Sequence, residues 1–134
     1  MTKEEYKAKT TEIIKQFVNA VSDKEYAKLA SIMRTESFCK DGETQEEGFL
    51  FFGKWLDEQL EWWEEDYGHP FVVDHFQEKS LDLNEGEFFK SGNEYIETAT
   101  YSPTSNGEQL DFWFEFDIYI KEDDTISVVF DLNI

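Results

Sequence analysis

Cysteine, proline and long apolar runs are all scarce in this sequence, and each shortage limits what the protein can be. The single cysteine, Cys39, cannot form an internal disulfide, and two prolines leave long stretches free to form helices and strands. No apolar run approaches the roughly 18 residues of a membrane-spanning helix, and the charged first residues are not typical of a signal peptide. The sequence therefore predicts a cytoplasmic protein that does not enter a membrane.

Basic residues are also scarce. Twelve Lys and Arg stand against 31 Asp and Glu, which gives a formal net charge of −19 at pH 7. A surface this negative repels phosphate groups, so the composition argues against nucleic acid and anionic membranes as partners. It attracts cations or a basic protein, although acidity can also serve solubility alone. The composition thus predicts the polarity of a partner rather than its identity.

Motifs of known chemistry are missing as well. The sequence holds no glycine-rich phosphate loop, no nucleophile elbow and no cysteine–histidine pairing. Glu65 and His69 have the i, i+4 spacing that can present a cation on a helix, but no third ligand is indicated. His75 follows Asp74 directly, and adjacent strand residues point to opposite faces, so Asp74 cannot easily orient it. The sequence predicts no catalytic residue, no metal site and no cofactor.

Large apolar side chains, in contrast, are abundant. Apolar residues make up 40% of the 134-residue chain and aromatic residues 17%, which is enough to bury the core of one domain. Helical spacing of these residues, with three Ser/Thr-x-x-Glu capping boxes, predicts three helices. They cover residues of about 3–21, 23–34 and 45–67.

The pattern of residues 71 to 133 predicts strands and turns instead of helices. Alternation and turn signals recur along this half, and Asn106-Gly107 is a strong hairpin signal. Further turns are predicted around Gly86 and Gly92. We expect a single α+β domain over residues 1–134, with three N-terminal helices packed on a curved antiparallel sheet, a meander of about four to five strands.

The clearest strand signal is "LDFWFEFDIYI", residues 110–120. Its Leu, Phe and Ile residues share one side, which we expect to pack against the helices. The other side alternates acids with aromatic residues and is expected to face outward, toward a basic partner or a second copy of the chain. These candidate contact residues are Asp111, Trp113, Glu115, Asp117 and Tyr119.

Two adjacent tryptophans near the end of the third helix are the other candidates for partner contact. Trp62 and Trp63 diverge by about 100° around the helix, so they cannot both face one core. We expect one to pack inside and the other to lie at an edge, a pocket rim or an interface, where tryptophan often anchors binding. The alternative is a helix covered on two sides.

The order of the elements resembles the nuclear transport factor 2-like, or cystatin-like, superfamily. A long first helix, a short second one, the brief extended piece "TESFCKDGET", a third helix and long strands carry this resemblance across the whole chain. It implies a strongly bent sheet that wraps the helices into a cone with a central cavity. That fold hosts isomerases, dehydratases, ligand binders, assembly domains and bacterial immunity proteins, so it does not decide the function.

Three functions fit these observations. The first is a binding protein without catalytic activity, for instance an immunity-type protein that meets a basic toxin enzyme. The second is a homodimer that self-associates through the sheet face. The third is a small-ligand cavity protein or a cofactor-free isomerase or hydratase, with candidate groups Tyr95, Asp111, Glu115, Asp117 and His75. Carboxylates on a cleanly alternating strand usually face solvent, so we expect binding rather than catalysis.

Overall fold

The computed structural model describes the backbone of residues 2–83, 89–91 and 94–134, and side chains other than those of residues 3, 89–91 and 94–96. The turns predicted around Gly86 and Gly92 lie outside the described residues. The elements are α1 (Lys3–Ser22), a 3₁₀ helix (Tyr26–Ser31), β1 (Arg34–Thr35), α2 (Gln45–Tyr67), a short 3₁₀ helix (Glu78–Ser80), β2 (Leu81–Leu83), β3 (Phe89–Ser91), β4 (Glu94–Tyr101), β5 (Thr104–Ser105), β6 (Glu108–Gln109), β7 (Trp113–Lys121) and β8 (Ile126–Asn133).

The two α-helices begin where their capping residues predict. The Thr2 hydroxyl accepts a hydrogen bond from the backbone N–H of Glu5. Thr44 and Glu47 form the full capping box, in which each side chain accepts from the other residue's backbone N–H. α2 ends at Gly68, whose φ of 73° closes the helix in the left-handed conformation that glycine adopts without strain. No helix in the described ranges is long and apolar enough to cross a membrane.

The predicted second helix, 23–34, is wrong in type and length. The chain forms a 3₁₀ helix only over Tyr26–Ser31, and Lys24 before it has a positive φ of 58°. The expected capping box is absent because Ser22 is still part of α1 and donates its hydroxyl to the Val73 carbonyl at 2.6 Å. Tyr26 and Leu29 of this segment are nevertheless buried.

Over the residues that the structure describes, the main sheet has six strands in the order β1-β8-β7-β4-β2, and β3 also pairs with β4. The predicted meander of the long strands is confirmed, since β4, β7 and β8 are antiparallel neighbours. The prediction of an entirely antiparallel sheet is wrong, because β1 pairs with β8 in parallel, Arg34 opposite Val129. Local alternation identifies an extended piece but carries no signal for a partner so far along the chain.

Residues 71–77 were predicted as strand but form none. The Asp74 N–H donates to the backbone carbonyl of Thr104 in β5 at 2.8 Å, but three other N–H groups bond to side chains, so the segment is held without a ladder. The N–H groups donate as follows: Val72 to Ser105, Phe76 to Asn19 and Gln77 to Tyr101, at 2.8–3.0 Å.

The hairpin predicted at Asn106-Gly107 is confirmed as the turn between β5 and β6. Both residues have positive φ, 52° and 82°, as the tightest hairpin turns require. The turn is held by Asp74, whose carboxylate accepts from the Thr104 hydroxyl and from the backbone N–H groups of Asn106 and Gly107.

One core joins both helices to a single face of the sheet. Phe17 of α1 lies 4.8–6.1 Å from four other phenylalanine rings, measured between ring centroids. Phe52 of α2 meets Phe114 and Phe130 on the same sheet face at 6.0 and 4.9 Å. The opposite face of β7 and β8 is therefore turned away from the helices.

Candidate partner-binding surface

Buried and outward-facing side chains alternate along residues 110–120, as predicted. Its apolar side is buried without exception: Leu110, Phe112, Phe114, Phe116, Ile118 and Ile120. On the other side Asp111, Trp113 and Asp117 are exposed, while Glu115 and Tyr119 are half-buried. The strand itself begins at Trp113 rather than at Leu110, so Asp111 precedes it.

Strand register extends this outer side into a surface. Glu115 lies opposite Asp131 of β8 on one side and Thr100 of β4 on the other. Asp82 of β2 in turn lies opposite Thr100. Directly paired residues share a face, so carboxylates recur across the width of the sheet. The acidic sheet face is the name used below for Glu36, Asp82, Glu115, Asp117, Asp131 and the exposed Trp113.

Three neighbouring carboxylates of this face act on Asp117. Burial raises its pKa above the usual value, and so do the charges of Glu115, Asp131 and Glu36. No hydrogen bond or ion pair within the described part of the chain involves the Asp117 carboxylate. Its charge is therefore left to solvent, and a cation placed here would relieve repulsion among several carboxylates.

Nearby groups compensate this charge only in part. Asn133 donates its amide to Glu115 at 2.7 Å. The basic residues Arg34 and Lys121 occupy outward positions toward the margins of the face, on β1 and at the end of β7. Neither forms an ion pair with a described acid of this face. The face consequently presents uncompensated negative charge around one exposed aromatic side chain.

The two adjacent tryptophans divide as predicted. Trp62 is 58% exposed. Trp63 packs inward, stacked on Phe112 with ring centroids 6.0 Å apart and planes 12° apart, and it also meets Phe71 at 6.0 Å. A large aromatic surface therefore reaches solvent beside the acidic end of α2.

The histidines take no part in the acidic sheet face. His75 lies 2.9 Å from a carboxylate oxygen of Asp23, not of its neighbour Asp74. His69 is exposed and stacks on Phe71 with centroids 4.6 Å apart. Within the described ranges, no group of three or more His, Cys, Asp or Glu residues is arranged to hold a metal ion.

One inward-facing acid, Glu97, was not among the site residues predicted from the sequence. Glu97 is 2% exposed and shares the inner side of β4 with Ala99 and Tyr101. It lies close to Tyr6 of α1, whose pKa is raised by burial and by Glu97, while a hydrogen bond with Thr10 lowers it. The alternation of β4 already placed Glu97 beside buried residues, which is the signal that could have singled it out. The side chain of Tyr95, one of the groups predicted for a cavity, lies outside the described residues.

Comparison with known proteins adds no name to this surface: no family model, no curated protein and no solved structure matches the chain. Its function has to be inferred from the geometry and charge of its own residues.

Proposed function

We propose that this chain is a binding protein without catalytic activity whose acidic sheet face receives a basic protein. The observation that carries the proposal is the group of carboxylates around Asp117, on the same outer side of β7 as the exposed ring of Trp113. An immunity-type protein that covers a cationic enzyme is one concrete form of this function.

Two physical effects support the proposal. A net charge of −19 steers a basic partner toward the protein and speeds encounter, most strongly at low ionic strength. After encounter, cationic side chains relieve the repulsion around Asp117, and Trp113 supplies the apolar contact that charge alone lacks.

The same charges count against the alternatives. A two-fold dimer through this face would place each Asp117 cluster against its own copy, which is repulsive. A cone-cavity isomerase or hydratase would need an inward acid. Of the acids in the candidate set, Asp111 and Asp117 are exposed and Glu115 is half-buried on the outer side. Glu97 is inward, but phenylalanine rings crowd the same side of the sheet. We therefore place binding first.

The test compares two double variants of equal net charge. Glu115→Gln/Asp117→Asn removes two of the five carboxylate charges of the acidic sheet face, and Glu12→Gln/Glu58→Gln removes two exposed charges from α1 and α2, the helices that pack on the other side. Each is titrated by calorimetry against a panel of purified basic proteins, secreted nucleases included, with pI above about 9. We expect at least one binder whose affinity falls with added salt and falls about tenfold, about 1.4 kcal/mol, in the face variant alone.

Two results would contradict the proposal. Equal loss in both double variants would mean that net charge, and not this face, attracts the partner. Absence of any salt-sensitive binder from the panel would remove the steering argument.

A further inference from the structure

A second acidic surface lies where α2 ends. A cleft of about 200 Å³ separates the last turns of α2 from the hairpin of β5 and β6. Aromatic rings and carboxylates make up most of its lining. The aromatic cleft is defined by Trp63, Tyr67, His69, Phe71, Glu108 and Asp111.

The rings of this cleft hold one another in place. Phe71 contacts three of them, with centroid distances of 6.0 Å to Trp63, 5.7 Å to Tyr67 and 4.6 Å to His69. Trp63 is stacked in turn on the buried Phe112. Tyr67 remains 67% exposed despite its contacts. The cleft is therefore a partly open set of flat faces fixed to the core, which lowers the entropy cost of binding.

Charge at the cleft is negative and uncompensated. Glu108 and Asp111 on the hairpin side are exposed, and neither forms an ion pair with any described residue. Glu64 and Glu65, in the last two turns of α2, do not line the cleft, but they add to the negative charge at this end of the helix, whose last turn holds no basic residue. Acids at a helix C-terminus oppose the helix dipole and weaken the helix. These acids therefore do not stabilise the end of the helix, whereas a bound cation would reduce the repulsion among them.

We propose that the aromatic cleft binds the guanidinium group of an arginine on the basic partner, an inference that rests on the proposed function. A guanidinium is planar, so it stacks on aromatic faces and meets carboxylates in pairs. A lysine ammonium is a compact, strongly hydrated point charge and gains less from flat rings. Asp111 lines the cleft and lies two residues before Trp113, so one partner can reach the cleft and the acidic sheet face together.

The test uses small probes in place of the unidentified partner. N-acetyl-arginine methylamide, its uncharged citrulline analogue and N-acetyl-lysine methylamide are each titrated into the protein in the same buffer. The readout is the set of tryptophan indole N–H signals in ¹⁵N-labelled protein, with the Trp63 signal assigned from a Trp63→Phe variant. We expect the arginine probe to shift the Trp63 signal saturably, with a Kd on the order of millimolar. The citrulline probe should bind at least about tenfold more weakly, and the lysine probe should lie between them.

Variants show whether the cleft itself is responsible. Glu108→Gln/Asp111→Asn should weaken the arginine probe about tenfold, whereas the equally charged Glu12→Gln/Glu58→Gln control should leave it within about twofold. Tyr67→Leu removes an exposed ring and should also weaken the probe, and thermal unfolding checks that each variant is folded. Equal binding of arginine and citrulline, or an unchanged affinity in the Glu108/Asp111 variant, would overturn the proposal.

Failure here is distinguishable from failure of the proposed function. If the arginine probe does not bind but a basic protein still depends on Glu115 and Asp117, only the cleft proposal falls. If the probe binds the cleft and no basic protein depends on the acidic sheet face, only the proposed function falls.

Discussion

Asp74 connects residues 71–77, which form no helix or strand, to the hairpin of β5 and β6, which lies on one side of the aromatic cleft. Partial burial alone would raise its pKa, but hydrogen bonds from the Thr104 hydroxyl and from the N–H groups of Gly107 and Asn106 lower the pKa below its usual value. The carboxylate is therefore more stable in the folded protein than in the unfolded chain. Stability from this group is present above the unfolded pKa and is lost as pH falls through the lower folded pKa.

Asp74→Asn tests this connection. An amide keeps one acceptor oxygen and turns an NH₂ group toward donors, so we expect the free energy of unfolding to fall by about 1–3 kcal/mol at neutral pH. The variant should also lose less stability than the wild type on acidification below about pH 4. Urea unfolding across a pH series measures both effects, with Glu58→Gln on the exposed side of α2 as the control. A variant as stable as the control would show that the hairpin does not depend on Asp74.

At the scale of elements, the packing of the first 3₁₀ helix on α2 depends on Gly53. A methyl group at this position would overlap the ring of Tyr26. The Tyr26 hydroxyl also donates to Asp57 on α2 at 2.6 Å, which fixes the ring against the helix. The glycine costs helix propensity, yet it allows the close approach that buries Tyr26.

Gly53→Ala should therefore destabilise the protein although alanine is the better helix former. The overlap should cost about 1–3 kcal/mol, against a propensity gain of at most about 1 kcal/mol. Thermal unfolding of Gly53→Ala, Tyr26→Ala and the double variant forms a complete cycle. In the Tyr26→Ala background the clash is gone, so the glycine substitution should become neutral or stabilising. Equal destabilisation in both backgrounds would exclude Tyr26 as the cause.

Elements with local signals were predictable from the sequence, and elements that depend on distant partners were not. α2 was predicted correctly because Thr44, Glu47 and Gly68 mark its ends by their own chemistry. The 3₁₀ helix was not, because Ser22 bonds to Val73, far along the chain. Alternation predicted which side of β7 faces outward. It could not show that Asp82 and Asp131 come to lie across the sheet from Glu115, since only strand register brings them there.

The same division applies to the aromatic cleft. The sequence singled out Trp63 and Asp111 separately, but they come together with Glu108 only because β5 and β6 fold back toward the end of α2. Glu108 stands in a stretch that predicts a turn and nothing more. The sequence can therefore indicate the residues that each element contributes to such a site. Only the tertiary structure brings the two elements together.

At the scale of the whole molecule, negative charge opposes folding while it favours a basic partner. Asp117 is an example of a charge that opposes folding, because burial and three neighbouring carboxylates raise its pKa. A raised pKa means that the folded state holds the proton more tightly than the unfolded chain. Stability from this group is therefore fully present below the unfolded pKa and is lost as pH rises through the folded pKa.

Asp117→Asn should remove that loss. We expect the variant to be more stable than the wild type at neutral pH by about 0.2–1 kcal/mol, a small gain because the side chain is largely in solvent. The gain should shrink in acid, where the wild-type carboxyl is protonated, and in high salt, which screens the repulsion. Urea unfolding at several pH values and salt concentrations measures it, with Glu58→Gln as an exposed carboxylate outside the cluster. If the same substitution stabilises the fold and weakens a basic partner, the crowded face is kept for binding at the expense of stability; a destabilised Asp117→Asn would show instead that this carboxylate supports the fold.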